Sequence, residues 1–520
     1  MSTGRESKKK GPSRRPKDAV DSIPYRLSAR LRNWAFSWRR RALLAGLVLI
    51  VLWAAVGCYQ TIKPLPSDLV YGGDPMAVAG TDLRFLADLT YRDTDDLAVH
   101  EQEIFAEILT LIHGARKLIV LDLFLFNSSM GSDGNALRPL SSEVVEALIS
   151  ARQRKPEMPI VLVTDPINDV YGGDPSPQLA ALRDVGVQVV VTDLVRLRDS
   201  NPLYSSLWRI LIQWWGNSPT GGWLPNPLDP TARKVGLRTY LRLGNFKANH
   251  RKVILADHQD RWVSLVTSAN PHDASSAHSN VALRVSSTDI AGQVYSAEME
   301  VVRLSGGTPP FDTLPDLGKY PVAGDHRVAY LTESAIRDRI LDLINATESG
   351  DEIDLALFYL SHRDIINALR EAAERGVWIR AVLDPNRDAF GHEKSGIPNR
   401  QAAEYLTRAV GGEIAFRWYA THGEQFHSKL IVVRRPETVD AVLGSANFTR
   451  RNLDDYNLEA SLWVQAPRGS NLDRELKLYM DRMWTNDDGT YTLPYSAFRD
   501  TSRLRRFFAW TQEVTGLGTF

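Results

Sequence analysis

A chain of 520 residues, 43% apolar and 24% charged, is long enough for two or more domains and a large core, and its composition is ordinary for a globular protein. Its 62 basic and 62 acidic residues balance overall but not locally: residues 1–41 hold 13 Lys and Arg against three acids, so the remainder carries an acidic excess of ten. On bulk charge such a body is not a nucleic-acid-binding surface.

In chain order, residues 1–41 form a basic arm, expected to be disordered. The next segment, ALLAGLVLIVLWAAVGCY (42–59), is an uncharged apolar run of 18 residues. As a helix it spans about 27 Å, close to the hydrocarbon thickness of a bilayer. Arg39, Arg40 and Arg41 abut one end, and Trp34, Trp38 and Trp53 suit the interfaces. The positive-inside rule then places the arm in the cytoplasm and the body across the membrane. Cys58, the only cysteine, closes the run within AVGC, which resembles the modification site of bacterial lipoproteins, although Ala55 stands where Leu is usual. An uncleaved anchor and a lipidated Cys58 both stay open, and one cysteine permits no internal disulfide.

The rest of the chain repeats itself. EIFAEILTLIHGARKLIVLDLFLFN (103–127) reads as an amphipathic helix running into an apolar strand, and AIRDRILDLINATESGDEIDLALFYLS (335–361) reads the same way. Each is followed by a helical segment and a second strand ending before Pro, at Asp165 and at Asp384. The alternation predicts an α/β fold: two domains in pseudo-twofold arrangement, each a mixed, mainly parallel sheet flanked by helices. The first domain is expected over 67–304 and the second over 326–500. A Gly/Pro-rich linker (305–325) separates them, and a basic-aromatic tail (501–520) follows.

The stretch FKANHRKVILAD (246–257) puts His250 and Lys252 on one face of an apolar strand and Asp257 on the other. FHSKLIVVR (426–434) repeats it with His427 and Lys429, but with Arg434 in the position of the aspartate. Ser268 and Ser445 each lie 18 residues after their His, Asn270 and Asn447 each 20, Asn280 and Asn457 each 30. Duplication for stability alone would preserve the apolar pattern without requiring these polar residues to recur.

These residues resemble the phospholipase D superfamily, whose signature is His-x-Lys-x4-Asp followed by a Gly-Ser-x-Asn-like turn, normally present twice. HRKVILAD with TSAN matches apart from Thr267 in place of Gly; HSKLIVVR with GSAN matches apart from Arg434. The NHRK sequence before an apolar strand is similar to bacterial cardiolipin synthases, and the resemblance covers roughly residues 100–500.

Cleaving a phosphodiester requires a nucleophile, a proton donor for the leaving alkoxide and positive charge around the phosphoryl oxygens. The resemblance implies that His250 attacks phosphorus and forms phosphohistidine, and that His427 acts as acid and base. Lys252 and Lys429 would bind the non-bridging oxygens, with Ser268, Asn270, Ser445 and Asn447 adding hydrogen bonds. Asp257 completes the first motif. Glu459, two residues after Asn457, stands where the family commonly holds a catalytic His by hydrogen bond. Arg434 faces away from His427 by strand parity, so a structural pairing is expected to be lost there rather than activity. The resemblance also implies a site that needs no metal or other cofactor.

Membrane placement points to a phospholipid substrate, at a bacterial inner membrane with the body on the periplasmic side. The segment LYSSLWRILIQWWGNSPTGGWLPNPL (203–228), in the longer first copy, and RLRRFFAW (503–510) both have interfacial character. Transfer of a phosphatidyl group, as in a cardiolipin synthase, and hydrolysis share one intermediate, and both stay open. A nuclease of the same superfamily and a phospholipid-binding protein without turnover are the alternatives; no nucleic-acid partner is expected, and two motifs in one chain make a monomer sufficient for a complete site.

Overall fold

The computed structural model describes residues 1, 3–4, 22–66, 69–129, 137–317, 324–389, 392–393, 395–410 and 413–518. Residues 1–58 and 59–520 form separate compact units. The first contains most of one long helix, α1 (Ser22–Ile62), in which the 25 residues Trp38–Ile62 hold an 18-residue window with a mean hydropathy of 2.4 and are long and apolar enough to cross a membrane. Half of the arm expected to be disordered is therefore helical. Residues 22–41 include six Arg, a good helix former, and they extend a helix that the apolar run already nucleates. Residues 5–21 of that arm lie outside the described residues.

The body is built on a strand pattern used twice. In the first half the strands are β1 (Leu83–Arg92), β2 (Ile119–Leu123), β3 (Ile160–Thr164), β4 (Gln188–Val191), β5 (Lys252–His258), β6 (Arg261–Thr267) and β7 (Asn280–Ser286). In the second they are β8 (His326–Thr332), β9 (Glu352–Leu357), β10 (Trp378–Leu383), β11 (Ile414–Tyr419), β12 (Lys429–Arg434), β13 (Thr438–Gly444) and β14 (Ala460–Pro467). The spatial orders are β1-β7-β6-β5-β2-β3-β4 and β8-β14-β13-β12-β9-β10-β11, the same order shifted by seven. Short edge strands extend both sheets: Ala98–Glu101 beside β1, and Met76–Val78 and Thr492–Pro494 at the two edges of the second sheet.

The sheets are mixed, but antiparallel pairs outnumber parallel ones, which corrects the expectation of mainly parallel sheets. Only β2-β3-β4 and β9-β10-β11 run parallel, each joined through crossover helices. The motif strands instead turn straight back. Between β5 and β6 only Gln259 and Asp260 intervene, with φ of 50° and 58°, the two-residue hairpin turn whose twist suits antiparallel strands.

Alternation along the motif strands assigns their faces. Val253 and Leu255 of β5 share one core with Leu430 and Val432 of β12, so the two sheets are packed face to face. Ile254 and Ala256 point to a separate core under the helices Ile104–Gly114 and Leu140–Arg154; Ile431 and Val433 do the same under Ser334–Asn345 and Arg363–Glu374. Helices cover the outer faces, and the shared layer joins the halves.

That shared layer also holds buried charge. Arg251, between the motif His and Lys, has no exposed side-chain surface; its Nη1 donates to Glu298 at 3.1 Å and its Nη2 to both oxygens of Glu333, in the other half, at 2.7 and 2.9 Å. Glu333 Oε1 in turn accepts the backbone N–H of Glu459 at 3.0 Å. Removing the guanidinium strands two buried carboxylates, so Arg251→Leu is expected to lower stability by about 3–5 kcal/mol in denaturant titration. Lys477→Ala, which breaks the exposed Lys477–Asp481 pair, is expected to change it by under about 0.5 kcal/mol.

Candidate active site

In each half the motif His lies just before its strand, and an aspartate at the end of a neighbouring region fixes the approach. Asp165, following β3, accepts the N–H of Asn249 at 2.7 Å and that of Ile167 at 2.7 Å. Asp384, following β10, accepts the N–H of Phe426 at 2.8 Å and that of Asn386 at 2.6 Å. Each therefore holds the backbone of the residue preceding a motif His. Burial pushes the Asp165 carboxyl up to about 7 against these donors.

The halves exchange backbone hydrogen bonds at the same two points. His250 donates its N–H to Leu458 at 2.8 Å, and Leu458 donates to Ala248 at 3.0 Å; His427 donates to Ser279 at 2.8 Å, and Ser279 donates to Gln425 at 3.0 Å. The residue after each partner then reaches the imidazole. Glu459 oxygens lie 2.9 and 3.0 Å from His250 Nδ1, and Asn280 Oδ1 lies 3.2 Å from His427 Nδ1. Ser445 Oγ and Asn452 Nδ2 donate to Glu459, and Ser268 Oγ donates to Asn280 Oδ1 at 3.0 Å. Asn280 Nδ2 donates to the His278 carbonyl at 3.0 Å, which orients the amide with its oxygen toward His427. With both Nδ1 atoms engaged, the Nε2 atoms are the reactive ones.

Behind each ring stands its lysine. Lys252 Nζ donates to the His250 carbonyl at 2.6 Å and Lys429 Nζ to that of His427 at 2.7 Å; each ammonium sits 5.0 Å from the ring centre of a phenylalanine, Phe124 and Phe358 respectively. Burial lowers Lys252 to about 7, against the pull of Glu459, and lowers Lys429 well below its ordinary value, helped by Lys252. Burial likewise lowers His250 to about 4, with Glu459 opposing, and lowers His427 well below 6.5, with Lys429 and His278 adding to the effect. Burial alone would raise Glu459; His250, Lys252 and Ser445 together hold it below the usual carboxylate range.

Both imidazoles open onto one cavity of 580 Å³, lined from both halves. Asn270, Asn447, His272, His278 and Asn457 supply polar groups; Phe124, Leu125, Ile167, Leu243, Phe246 and Phe358 supply an apolar wall. Among the described residues no group of three or more His, Cys, Asp or Glu is placed to hold a metal ion.

The structure thus gathers His250, His427, Asn270 and Asn447 at the cavity, with Lys252, Lys429 and Glu459 directly behind. It does not bring the other residues there. Ser268 and Ser445 are wholly buried and do not line the cavity; they hold Asn280 and Glu459 in place. Asp257 sits seven residues along the strand from His250, roughly 20 Å away. There it accepts the N–H groups of Arg116, Lys117 and Leu118 at 2.7–3.1 Å, a structural anchor for the turn before β2. At the matching position, Arg434 is not left without a pairing as expected. It is buried against Asp354 and Asp473, so one structural bond set replaces another.

The equal spacing of Asn280 and Asn457 is also misleading. The counterpart of Glu459 is Asn280 itself, because Val281 and Ala460 make the same exchange with Ser268 and Ser445. The second half reaches that point two residues later, its loop carrying the turn Arg450–Leu453 where the first half has the shorter turn Asp273–Ser275. Asn457 instead accepts the N–H of Ala248 at 3.0 Å. The signal for the correct alignment is the polar residue at the threshold of the last apolar strand, SNVAL in one half and LEASL in the other. Asp165 and Asp384 were visible as a repeated Asp-Pro, but their role depends on a backbone contact made through the fold.

Two sheets of identical strand order, each bringing a motif His to a shared cavity with its Lys behind, give the chain a phospholipase D-like fold. Residues 340–484 match the family model described as "Cardiolipin synthase, PLD-like domain". Among solved structures the chain is similar to phosphatidylserine synthase of Haemophilus influenzae, at 11% identity and a TM-score of 0.55, covering 85% of this chain and 94% of that one. It is also similar to Nuc of Salmonella typhimurium, a phospholipase D family member, at 21% identity and a TM-score of 0.25, covering 32% of this chain and 99% of that one. No curated protein sequence matches significantly.

The geometry of His250 has a measurable consequence. Its pKa is about 4 folded against about 6.5 unfolded, so it favours the folded state above pH 6.5, and that contribution drains away as pH falls toward 4. In histidine ¹⁵N NMR of the full chain, the His250 ring is expected to stay neutral down to about pH 4. Glu459→Gln, which removes a group that favours the imidazolium, is expected to move that titration lower still.

Proposed function

We propose that the protein is a membrane-anchored phosphodiesterase or phosphatidyltransferase of the phospholipase D type, acting on phospholipids through a phosphohistidine intermediate. The observation that carries the reading is two imidazoles on one cavity, each with its Nδ1 held by an acceptor from the opposite half. In the first step His250 Nε2 attacks phosphorus and the bond to the leaving oxygen breaks; His427 Nε2 gives that oxygen a proton. In the second, His427 takes a proton from an incoming alcohol or water, which attacks phosphorus and breaks the P–N bond. The Glu459 carboxylate suits His250 to the nucleophilic role, since it stabilises the ring as positive charge develops on phosphorylation. The neutral Asn280 leaves His427 free to gain and lose its proton.

Groups that carry or acquire positive charge crowd the site: Lys252 and Lys429 depress the protonation of both imidazoles, and Lys252 that of Lys429. A bound phosphodiester anion offsets that repulsion, so protonation of His427 is coupled to binding. Lys252 and Lys429 stand where they can follow the anion, and Asn270 and Asn447 offer amides at the cavity wall. The apolar wall of Phe124, Leu243 and Phe246 supports a lipid in preference to a nucleic acid, as do the acidic body and the apolar span. The match to a cardiolipin synthase-like domain and the fold shared with a phosphatidylserine synthase support phosphatidyl transfer as the finer reading. The arginines before the span support a body on the extracytoplasmic side.

Incubating the full chain with phosphatidylglycerol, and separately with single-stranded DNA, tests the proposal. Cardiolipin or phosphatidic acid as product is expected; oligonucleotides would mean a nuclease, and binding without turnover a lipid-binding protein. Both His250→Asn and His427→Asn are expected to reduce turnover by at least roughly 10³-fold, and activity surviving in either would refute a two-histidine mechanism. Binding of a non-cleavable phosphodiester is expected to weaken as pH rises through about 7, where Lys252 gives up its proton.

A further inference from the structure

The insertion that lengthens the first half is exposed where the rest of the body is covered. Helix Pro202–Leu211 buries Trp208 and Arg209 but presents Leu203, Leu207 and Leu211, four residues apart and 45%, 45% and 54% exposed. Beyond it Trp214, Trp215 and Trp223 are 75%, 57% and 66% exposed. Isolated exposed leucines need no explanation, but a helical stripe followed by three exposed tryptophans is an apolar surface of the kind that marks an interaction site.

What the partner is follows from where this helix is fastened. Arg209 is paired with buried Asp199 at 2.6 and 2.9 Å. The Asp199 N–H donates to the Gln60 carbonyl at 2.9 Å, and Arg198 Nε to that of Lys63 at 2.8 Å. Gln60 and Lys63, at the start of the body, are thus fixed to Asp199, which roots the exposed helix, and to Arg198 beside it. The C-terminal helix Arg503–Thr515 ends at the same place. Arg451 donates to the carbonyls of Gly516 and Gly518 and to Ser200 Oγ, and a Cβ on Gly516 would fall 1.8 Å from the Ser200 carbonyl oxygen. That helix exposes Leu504, Phe507, Phe508 and Trp510, and carries Arg503, Arg505 and Arg506.

We infer that this surface, with Leu207 and Trp215 as its representative positions, is a second membrane contact: it rests in the interfacial layer of the bilayer that the span crosses. Tryptophan and an amphipathic helix are the chemistry of that layer. The same insertion reaches the cavity, whose wall includes Leu228, Leu243 and Phe246, so the resting surface and the lipid-sized cavity are parts of one element. The inference rests on residues 38–62 spanning a bilayer and on the phospholipid reading for its purpose, but not on turnover for its test.

The test uses the full chain in nanodiscs of phosphatidylcholine and phosphatidylglycerol, in a Cys58→Ser background, with a fluorophore attached at Leu207→Cys or Trp215→Cys. Trp378→Cys is the control; Trp378 is 71% exposed but lies at the start of β10, the end opposite Asp384 and the cavity. Quenching by doxyl-labelled lipid is expected to be at least about twofold stronger at 207 and 215 than at 378. Equal quenching at all three overturns the inference, whether or not the protein cleaves lipid. If the phospholipid reading holds, Leu207→Asp with Trp215→Asp is expected to slow turnover of bilayer lipid roughly tenfold while leaving a water-soluble phosphodiester within about twofold. Equal loss on both substrates would assign the surface to folding rather than to the membrane.

Discussion

Each imidazole of this protein is carried by one half of the body and held by the other. The His250 backbone pairs with Leu458 and its ring with Glu459; the His427 backbone pairs with Ser279 and its ring with Asn280. Everything else in the site is arranged around that exchange. The Arg251–Glu333 ion pair crosses the same seam and ends on the Glu459 amide, so the charge buried between the sheets braces the groups that orient the ring. Neither half presents a complete histidine environment alone, which is why one chain with two copies makes one site.

The exchange is symmetric in the backbone and asymmetric in the side chains. A carboxylate serves His250 where an amide serves His427, and both are seated by a serine from the equivalent turn. A charged acceptor stabilises imidazolium and a neutral one does so less, so one Glu-to-Asn difference gives two otherwise matching rings unlike electrostatic surroundings. The Asp257 and Arg434 positions differ even more in chemistry, yet each satisfies its own surroundings far from the cavity.

Much of this was legible in the sequence. Two apolar strands headed by His-x-Lys, in register with two Ser-x-Asn turns, pointed to the duplication and to six of the residues that meet at or directly behind the cavity. Glu459 was found as well, though by resemblance and on an incorrect alignment of Asn457 with Asn280. Strand direction was not legible, because an apolar run reads the same whichever way its neighbour lies; the turn at Gln259 and Asp260, without glycine, gave little warning of a hairpin. The serines were misjudged for a related reason. Spacing fixes which side chains share a turn, whereas whether a hydroxyl meets ligand or a neighbouring carboxylate depends on packing from the other half. Asp165 and Asp384 act on backbone amides 84 and 42 positions away, and no local pattern encodes such a partner.

The short strand Met76–Val78 stands at the start of the body, yet it is zipped onto His326–Val328 in the second sheet, and Thr332 binds the backbone at Leu69 and Tyr71. The strand Met76–Val78 therefore has no ladder to join until about 250 further residues have been synthesised. Assembly cannot close from the N-terminus onward. The last-made sheet captures the first-made segment, like a clasp fastened only when the band has gone full circle, and the order of biosynthesis and the order of completion run in opposite directions.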